Sequence, residues 1–312
     1  MSEIKRLSLN LTTRCNFRCA HCLRGRPREA VDFPMALLPE LLEAAWDIGI
    51  QTVSLTGGEP GLHPHFDAVI DQVAARRFRW SLVTNGSRPE WYESAIRRHG
   101  RRLRSIGVSI DGARAETHDA LRMPGSFVKA CQAVGRFKAL GARVHLLYLV
   151  TAGNYLEIPD FLVLAERLGV AFVRFAALIP TDSGTVGALT PEQTRAAYET
   201  ISRMSPFGEI EIGITSALDV EATRCCRNLR YHEPAVNPYG EYVLCNDTVG
   251  RGLVLGSLYE EPFEQLVVKG VSAAKRLCRE WEQGVAAGRI PAGTVPCVFC
   301  SRGGEISSHG KP

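Results

Sequence analysis

The sequence predicts an α/β protein built on a parallel sheet. Two observations carry this. Short apolar runs alternate with amphipathic helical patterns through the first two-thirds of the chain. The residues with chemical potential fall just after those runs, where such folds place their sites. Six strand–helix units are too few for a closed eight-fold barrel.

In chain order, a strand is expected at 7–11, then a helix at 39–48. Strands at 52–56 and 80–84 flank a helix at 66–76. A helix at 90–98 leads to a strand at 105–110. A helix at 126–140, a strand at 144–150, a helix at 158–168 and a strand at 171–175 complete the series. A polar, Gly-containing loop at 180–187 breaks the pattern. Thr190 then caps a helix that has Pro191 at its first position. A short alternating strand covers 209–215. From about Ala217 the strands shorten and cysteines become dense. This reading divides the chain into a core at 1–206, a small C-terminal domain at 207–306 and a disordered tail at 307–312.

Composition narrows the function. The 312 residues are 45% apolar, as in an ordinary globular protein, and carry a formal charge of +4, too small to argue for nucleic acid. The basic run from Arg97 to Arg104 reads as a solvated helix end. The N-terminus has no apolar signal core, and no stretch approaches a membrane span. A cytoplasmic protein keeps its thiols reduced, so ten cysteines point to metal or catalysis rather than disulfides.

Cys15, Cys19 and Cys22 read C-N-F-R-C-A-H-C. Three thiolates at this spacing can hold three irons of a [4Fe–4S] cube and leave the fourth open. Zinc normally takes four ligands in a closed site, and a fourth is hard to name here. Further along lie Gly57-Gly58-Glu59-Pro60, Thr84-Asn85-Gly86, Ser109-Ile110-Asp111-Gly112 and His118-Asp119-Ala120-Leu121-Arg122. Together these resemble the radical S-adenosylmethionine (SAM) enzymes over nearly the full chain. The resemblance implies a partial (β/α)6 barrel and a cluster whose open iron binds SAM. It implies that reductive cleavage of SAM yields a hydrogen-abstracting 5′-deoxyadenosyl radical, with electrons from a flavodoxin- or ferredoxin-type donor.

By that resemblance, Glu59 and the carbonyls around Gly57, Gly58 and Pro60 receive the SAM ammonium. Ser109 and Arg122 hold its carboxylate. Asn85 reaches the ribose, and Asp111 supports the loop or the ribose. His21 stands where the family usually has an aromatic, near the adenine, and Val150 lies against the base or in the core. Arg174 in the sixth strand faces the substrate or the SAM carboxylate.

A second set follows. Cys226, Cys245, Cys297 and Cys300 supply four ligands, which suit zinc or a closed [4Fe–4S] cube. The turn Asn237-Pro238-Tyr239-Gly240 sits between two short strands, so Cys226 and Cys245 could close on one hairpin. The pattern is similar to the auxiliary-cluster "twitch" domain of the family, the short form of the SPASM domain, which implies one auxiliary cluster. Cys131 reads as core. Cys225 and Cys278 are the candidate hydrogen donors, although Cys278 sits in a helical pattern that also suits core packing. Cys225 points away from its neighbour Cys226 if both lie on a strand.

The reaction expected first is epimerisation of a small polar substrate such as an amino sugar, aminocyclitol or nucleoside, with a cysteine thiol returning hydrogen. Dehydrogenation to a ketone, with the auxiliary cluster accepting an electron, is the alternative. Modification of a ribosomal peptide is another, set lower because the first strand begins near Leu7 and leaves no room for a leader-binding domain. A non-catalytic iron–sulfur or zinc protein explains the cysteines but not Glu59, Ser109 and Arg122.

Overall fold

The computed structural model describes residues 4–22, 29–178, 187–215, 217–218, 225–246, 253–291 and 296–301. The tail from Ser307 and all of the expected loop except Gly187 lie outside them.

Six strand–helix units come first. They are β1 (Arg6–Asn10), α1 (Leu38–Asp47), β2 (Thr52–Thr56), α2 (Phe66–Ala75), β3 (Arg79–Thr84), α3 (Glu90–His99), β4 (Leu103–Ser109), α4 (Ala115–Leu121), α5 (Ser126–Ala139), β5 (Val144–Val150), α6 (Ile158–Arg167), β6 (Phe172–Ala177) and α7 (Pro191–Arg203). Then follow β7 (Glu211–Ile214), α8 (Arg227–Tyr231), β8 (Ala235–Val236), β9 (Glu241–Val243), β10 (Val254–Ser257), α9 (Phe263–Ala286) and α10 (Pro296–Ser301). Helix α7 begins with a reciprocal capping box between Thr190 and Gln193, with Pro191 in its first turn.

The strands form one sheet in the order β10-β9-β8-β1-β2-β3-β4-β5-β6-β7. From β1 to β7 every pair is parallel and sequential, the architecture of a partial TIM-like barrel. Strand β7 continues the barrel beyond the six expected units, and β8 adds parallel to β1 on the other side. The sheet therefore runs through residue 206, where a change of domain is expected from sequence.

Side-chain alternation sorts the two faces of the sheet. On β5, Leu146, Tyr148 and Val150 are buried, and Tyr148 packs on Phe161 of α6 at 4.4 Å between ring centroids. His145, Leu147 and Leu149 face the opposite way, toward the barrel interior, and Leu147 pairs with Arg174 on β6. Strands β8 and β9 form the expected hairpin, with Gly240 at φ 76° closing its turn. Among the described residues no helix is long and apolar enough to cross a membrane.

Candidate functional site

The loop bearing Cys15, Cys19 and Cys22 leaves the C-terminal end of β1 and is held from three sides. The N–H groups of Gly58 and Glu59 donate to the carbonyls of Thr12 and Arg14, each at 2.7 Å. Ala20 N–H reaches the Leu121 carbonyl at the end of α4 at 3.0 Å. Asn85 donates through Nδ2 to Asn16 Oδ1 at 3.0 Å, and Asn16 donates to Ser87 Oγ at 2.8 Å. Gly57 and Gly58 allow this contact. A Cβ on Gly58 would stand 2.1 Å from the Arg14 oxygen, and one on Gly57 2.7 Å from that of Thr12. The glycines that the sequence suggested for close approach to a ligand approach the cysteine loop itself.

Glu59, 2% exposed, turns its carboxylate inward. Oε1 accepts from the hydroxyls of Thr84 and Tyr92, and Oε2 accepts from Asn85 N–H at 2.9 Å. Burial pushes its pKa up, and the donors from Thr84, Tyr92 and Asn85 pull against that. Three of the roughly four acceptor positions of a carboxylate are therefore used within the fold. Pro60 follows as the buried first residue of a 3₁₀ turn. Thr84, Tyr92 and Asn16 belong to this site and were not singled out from sequence. Tyr92 is an ordinary apolar-face position of α3 until its hydroxyl is seen.

On the other side of the loop, Asp111 follows β4 and is fully buried. Its Oδ2 accepts from Arg122 Nε at 2.6 Å and lies 3.5 Å from His21 Nε2, while Oδ1 accepts from Leu149 N–H at 2.9 Å. Burial acts to raise the Asp111 pKa, but the Arg122 guanidinium, His21 and the Leu149 N–H together outweigh that and hold the carboxyl below its ordinary range. Burial also raises the Cys19 thiol, and the same guanidinium opposes the rise. Ser109 is buried at the end of β4. Asp111 N–H donates to Nδ1 of His118, and burial pushes both His118 and His21 down to about 4.

Three cysteines on one loop suit a cluster with one open iron. Two buried nitrogens, His21 Nδ1 and His118 Nε2, have no partner among the described residues, and buried polar atoms in that state are ones a bound ligand can satisfy. Both features fit a cluster with SAM. Val150 and Asn85 both have partners within the fold. Val150 lies wholly in the main core, because alternation turns it outward with Tyr148. Asn85 commits its Nδ2 to Asn16 and its Oδ1 to Ser87 N–H, so its amide holds the loop. Arg174 lies on the interior face of β6, near enough to His145 for its charge to help lower that histidine.

The second set gathers around α8 and α10. The Cys226 sulfur caps α8, accepting from Leu229 N–H at 3.4 Å, and Asn228 Nδ2 donates to the Cys245 sulfur at 3.3 Å. Cys297 and Cys300 are one turn apart on α10. Burial pushes Cys300 up to about 12, with the Cys226 thiolate adding to the rise. Cys225 points elsewhere. It forms a disulfide with Cys278 of α9. In that state neither sulfur carries the hydrogen that a donor role needs, so such a role requires the reduced pair.

The sequence of residues 9–165, about half of the chain, matches the Radical SAM superfamily. Mycofactocin maturase MftC of Mycobacterium tuberculosis is 32% identical over 57% of this chain and 46% of its own. The antilisterial bacteriocin subtilosin biosynthesis protein AlbA of Bacillus subtilis is 27% identical over 52% of this chain and 37% of its own. The chain thus spans about half or less of the length of these curated relatives. The fold is also that of Streptococcus suis SuiB bound to S-adenosylmethionine, with a TM-score of 0.73 at 13% identity over 86% of this chain and 65% of SuiB.

Proposed function

This chain belongs to the radical SAM superfamily, and from that premise we propose that it abstracts hydrogen from a carbon of a peptide substrate. The family implies a [4Fe–4S] cluster and SAM. When bound, they supply an electron and the 5′-deoxyadenosyl radical it generates from SAM. Cys15, Cys19 and Cys22 would hold the cluster. Around SAM, His21 and His118 would offer their orphaned nitrogens, Arg122 its remaining guanidinium N–H groups to the carboxylate, and the Gly57–Pro60 turn its carbonyls to the ammonium. The buried Asp111–Arg122 pair beside the cysteine loop carries the SAM-site reading, because a plain structural cluster would not call for it.

The peptide reading is favoured by the relatives. SuiB is described bound to its precursor peptide SuiA, and AlbA takes part in making a bacteriocin. A small polar substrate, the first expectation, is the second reading, since the GTP 3′,8-cyclase of Nautilia profundicola, also a relative, is named for a nucleotide substrate. We further propose that 207–306 forms the unit carrying one auxiliary cluster on Cys226, Cys245, Cys297 and Cys300. We also propose that a flavodoxin- or ferredoxin-type protein in the cytoplasm supplies electrons.

The decisive experiment is anaerobic reconstitution with dithionite and SAM, offered deuterated peptides or deuterated amino sugars. Deuterium in 5′-deoxyadenosine from the peptides alone is expected. Deuterium only from the sugars would return the reading to a small molecule. No 5′-deoxyadenosine under any condition would remove the enzyme assignment.

A further inference from the structure

We propose that Cys225, Cys278 and Glu282, when reduced, bind one thiophilic divalent cation of the zinc class, apart from the four cysteines of the second set. Cys225 stands immediately before Cys226 but faces α9, where Cys278 and Glu282 lie one turn apart. One ligand atom from each of the three lies within 4.8 Å of the others, and among the described residues no other three potential ligands meet so closely. The sulfurs of Cys226, Cys245, Cys297 and Cys300 do not form such a group. The two sulfurs of this group are close because they are bonded, and the Glu282 carboxylate beside them is what marks the site. A cube spreads its thiolates, whereas a single tetrahedral ion with Zn–S bonds of about 2.3 Å brings two of them to roughly 3.8 Å.

The backbone prepares the compact site. The Cα atoms of Cys225 and Cys278 are 5.1 Å apart, so side-chain rotation alone carries the sulfurs from bonding to ligating distance. Cys225 N–H donates to Glu282 Oε1 at 3.5 Å, and the Cys278 sulfur lies 3.9 Å from the same oxygen. The carboxylate thus already lies against the Cys225 backbone and the Cys278 sulfur, within 4.8 Å of both sulfurs. Cys225 is 2% exposed, while Glu282 is open to solvent, so the ion would keep a fourth position for water or an exchangeable ligand. The reducing conditions that load and run a low-potential cluster do not preserve a disulfide. A phosphine reductant opens it in a balanced step. The phosphine takes oxygen from water to become its oxide, and the two sulfurs become thiols. The cation then displaces the two thiol protons into the buffer.

The test uses cluster-loaded, full-length protein kept anaerobic with a phosphine and titrated with Co²⁺ alone. A single equivalent should bind with the near-ultraviolet charge-transfer absorption of cobalt–thiolate. Cys278→Ser should abolish the band. Glu282→Gln, at an exposed position that does not threaten folding, should weaken binding at least about tenfold. Cys226→Ser should lower iron content and leave the cobalt band intact. The proposal is overturned if no band forms, if Glu282→Gln leaves affinity unchanged, or if the band follows Cys226. Two thiols that alkylate after reduction without binding cobalt would equally reduce the pair to a disulfide only.

Discussion

Arg122 Nε and Asp111 Oδ2 meet at 2.6 Å in a pair that water scarcely reaches, and Arg122 also acts on the Cys19 thiol. One guanidinium thus serves a buried carboxylate and a cysteine proposed to hold the cluster. Breaking a buried pair by neutralising one side typically costs about 3–5 kcal/mol, because the other charge is left unmatched. Asp111→Asn should therefore lower the melting temperature and the SAM affinity together. Arg122→Lys keeps the charge but loses the planar fork, so it should hold iron and still bind SAM more weakly. Iron assay, thermal melting and SAM titration of the two variants check this. Wild-type SAM affinity in both would contradict it.

Tyr92 gives Glu59 one of its donors from α3, so it is a positioning residue for the Gly57–Pro60 turn. Tyr92→Phe removes that donor and should cost about 1–3 kcal/mol of stability. With the donor gone, the Glu59 pKa should rise further, since the hydrogen bond from Tyr92 works to lower it. Differential infrared spectroscopy of the carboxyl band across pH reads the change. An unmoved band would mean that Thr84 and Asn85 hold the carboxylate alone.

Gly58 has no room for a methyl group, since the obstacle at 2.1 Å is the backbone oxygen of Arg14. Gly58→Ala must push the cysteine loop off the second strand end. The expected outcome is a folded barrel by circular dichroism that retains the second cluster and loses the first. Wild-type iron content in Gly58→Ala would show that the two segments are not coupled.

The strands β1 to β6 could be read from sequence because each carries a short cluster of apolar residues between helical patterns, a signal written locally. Helix α4 could not, for its seven residues A-E-T-H-D-A-L are mostly polar and too short for a periodic signal. The pairing of β8 with β1 joins Ser8 to Ala235, a contact that no local pattern records. The site divides the same way. Cysteine spacing and the Gly-Gly-Glu-Pro turn are local and were visible. That Glu59 faces Tyr92, 33 residues on, or that Cys225 meets Cys278 at a separation of 53, is decided only when the chain packs. Val150 shows a third limit, since a strand pattern fixes alternation but not which face looks inward.

Two tetranuclear clusters would give about eight irons per chain, and one would give about four. Cys245→Ser and Cys300→Ser should each bring reconstituted protein from the first value to near the second, while Cys19→Ser should remove the SAM-sensitive spectroscopic signal and spare the other. Cys131→Ser should change neither, because Cys131 is a helix residue packed against the main core. Iron near four in the wild type would eliminate the auxiliary cluster.

Acidification should destabilise the fold well above the carboxylate range. Burial holds His232 at about 4, and burial followed by the charges of Arg174 and Arg6 holds His145 there also. An unfolded histidine titrates near 6.5, so between these values the unfolded chain binds more protons than the native one. Stability is full above the unfolded value and is lost as pH falls toward the folded one. For His232, 4% exposed with Nε2 2.6 Å from the Tyr242 hydroxyl, the slope can reach about 1.4 kcal/mol per pH unit. His232→Gln, which can keep a hydrogen bond to that hydroxyl, should flatten the dependence of melting temperature between pH 7 and pH 5 by the share of one proton. Parallel curves for the two proteins would mean that His232 is charged in the native state or that the unfolded chain does not free it.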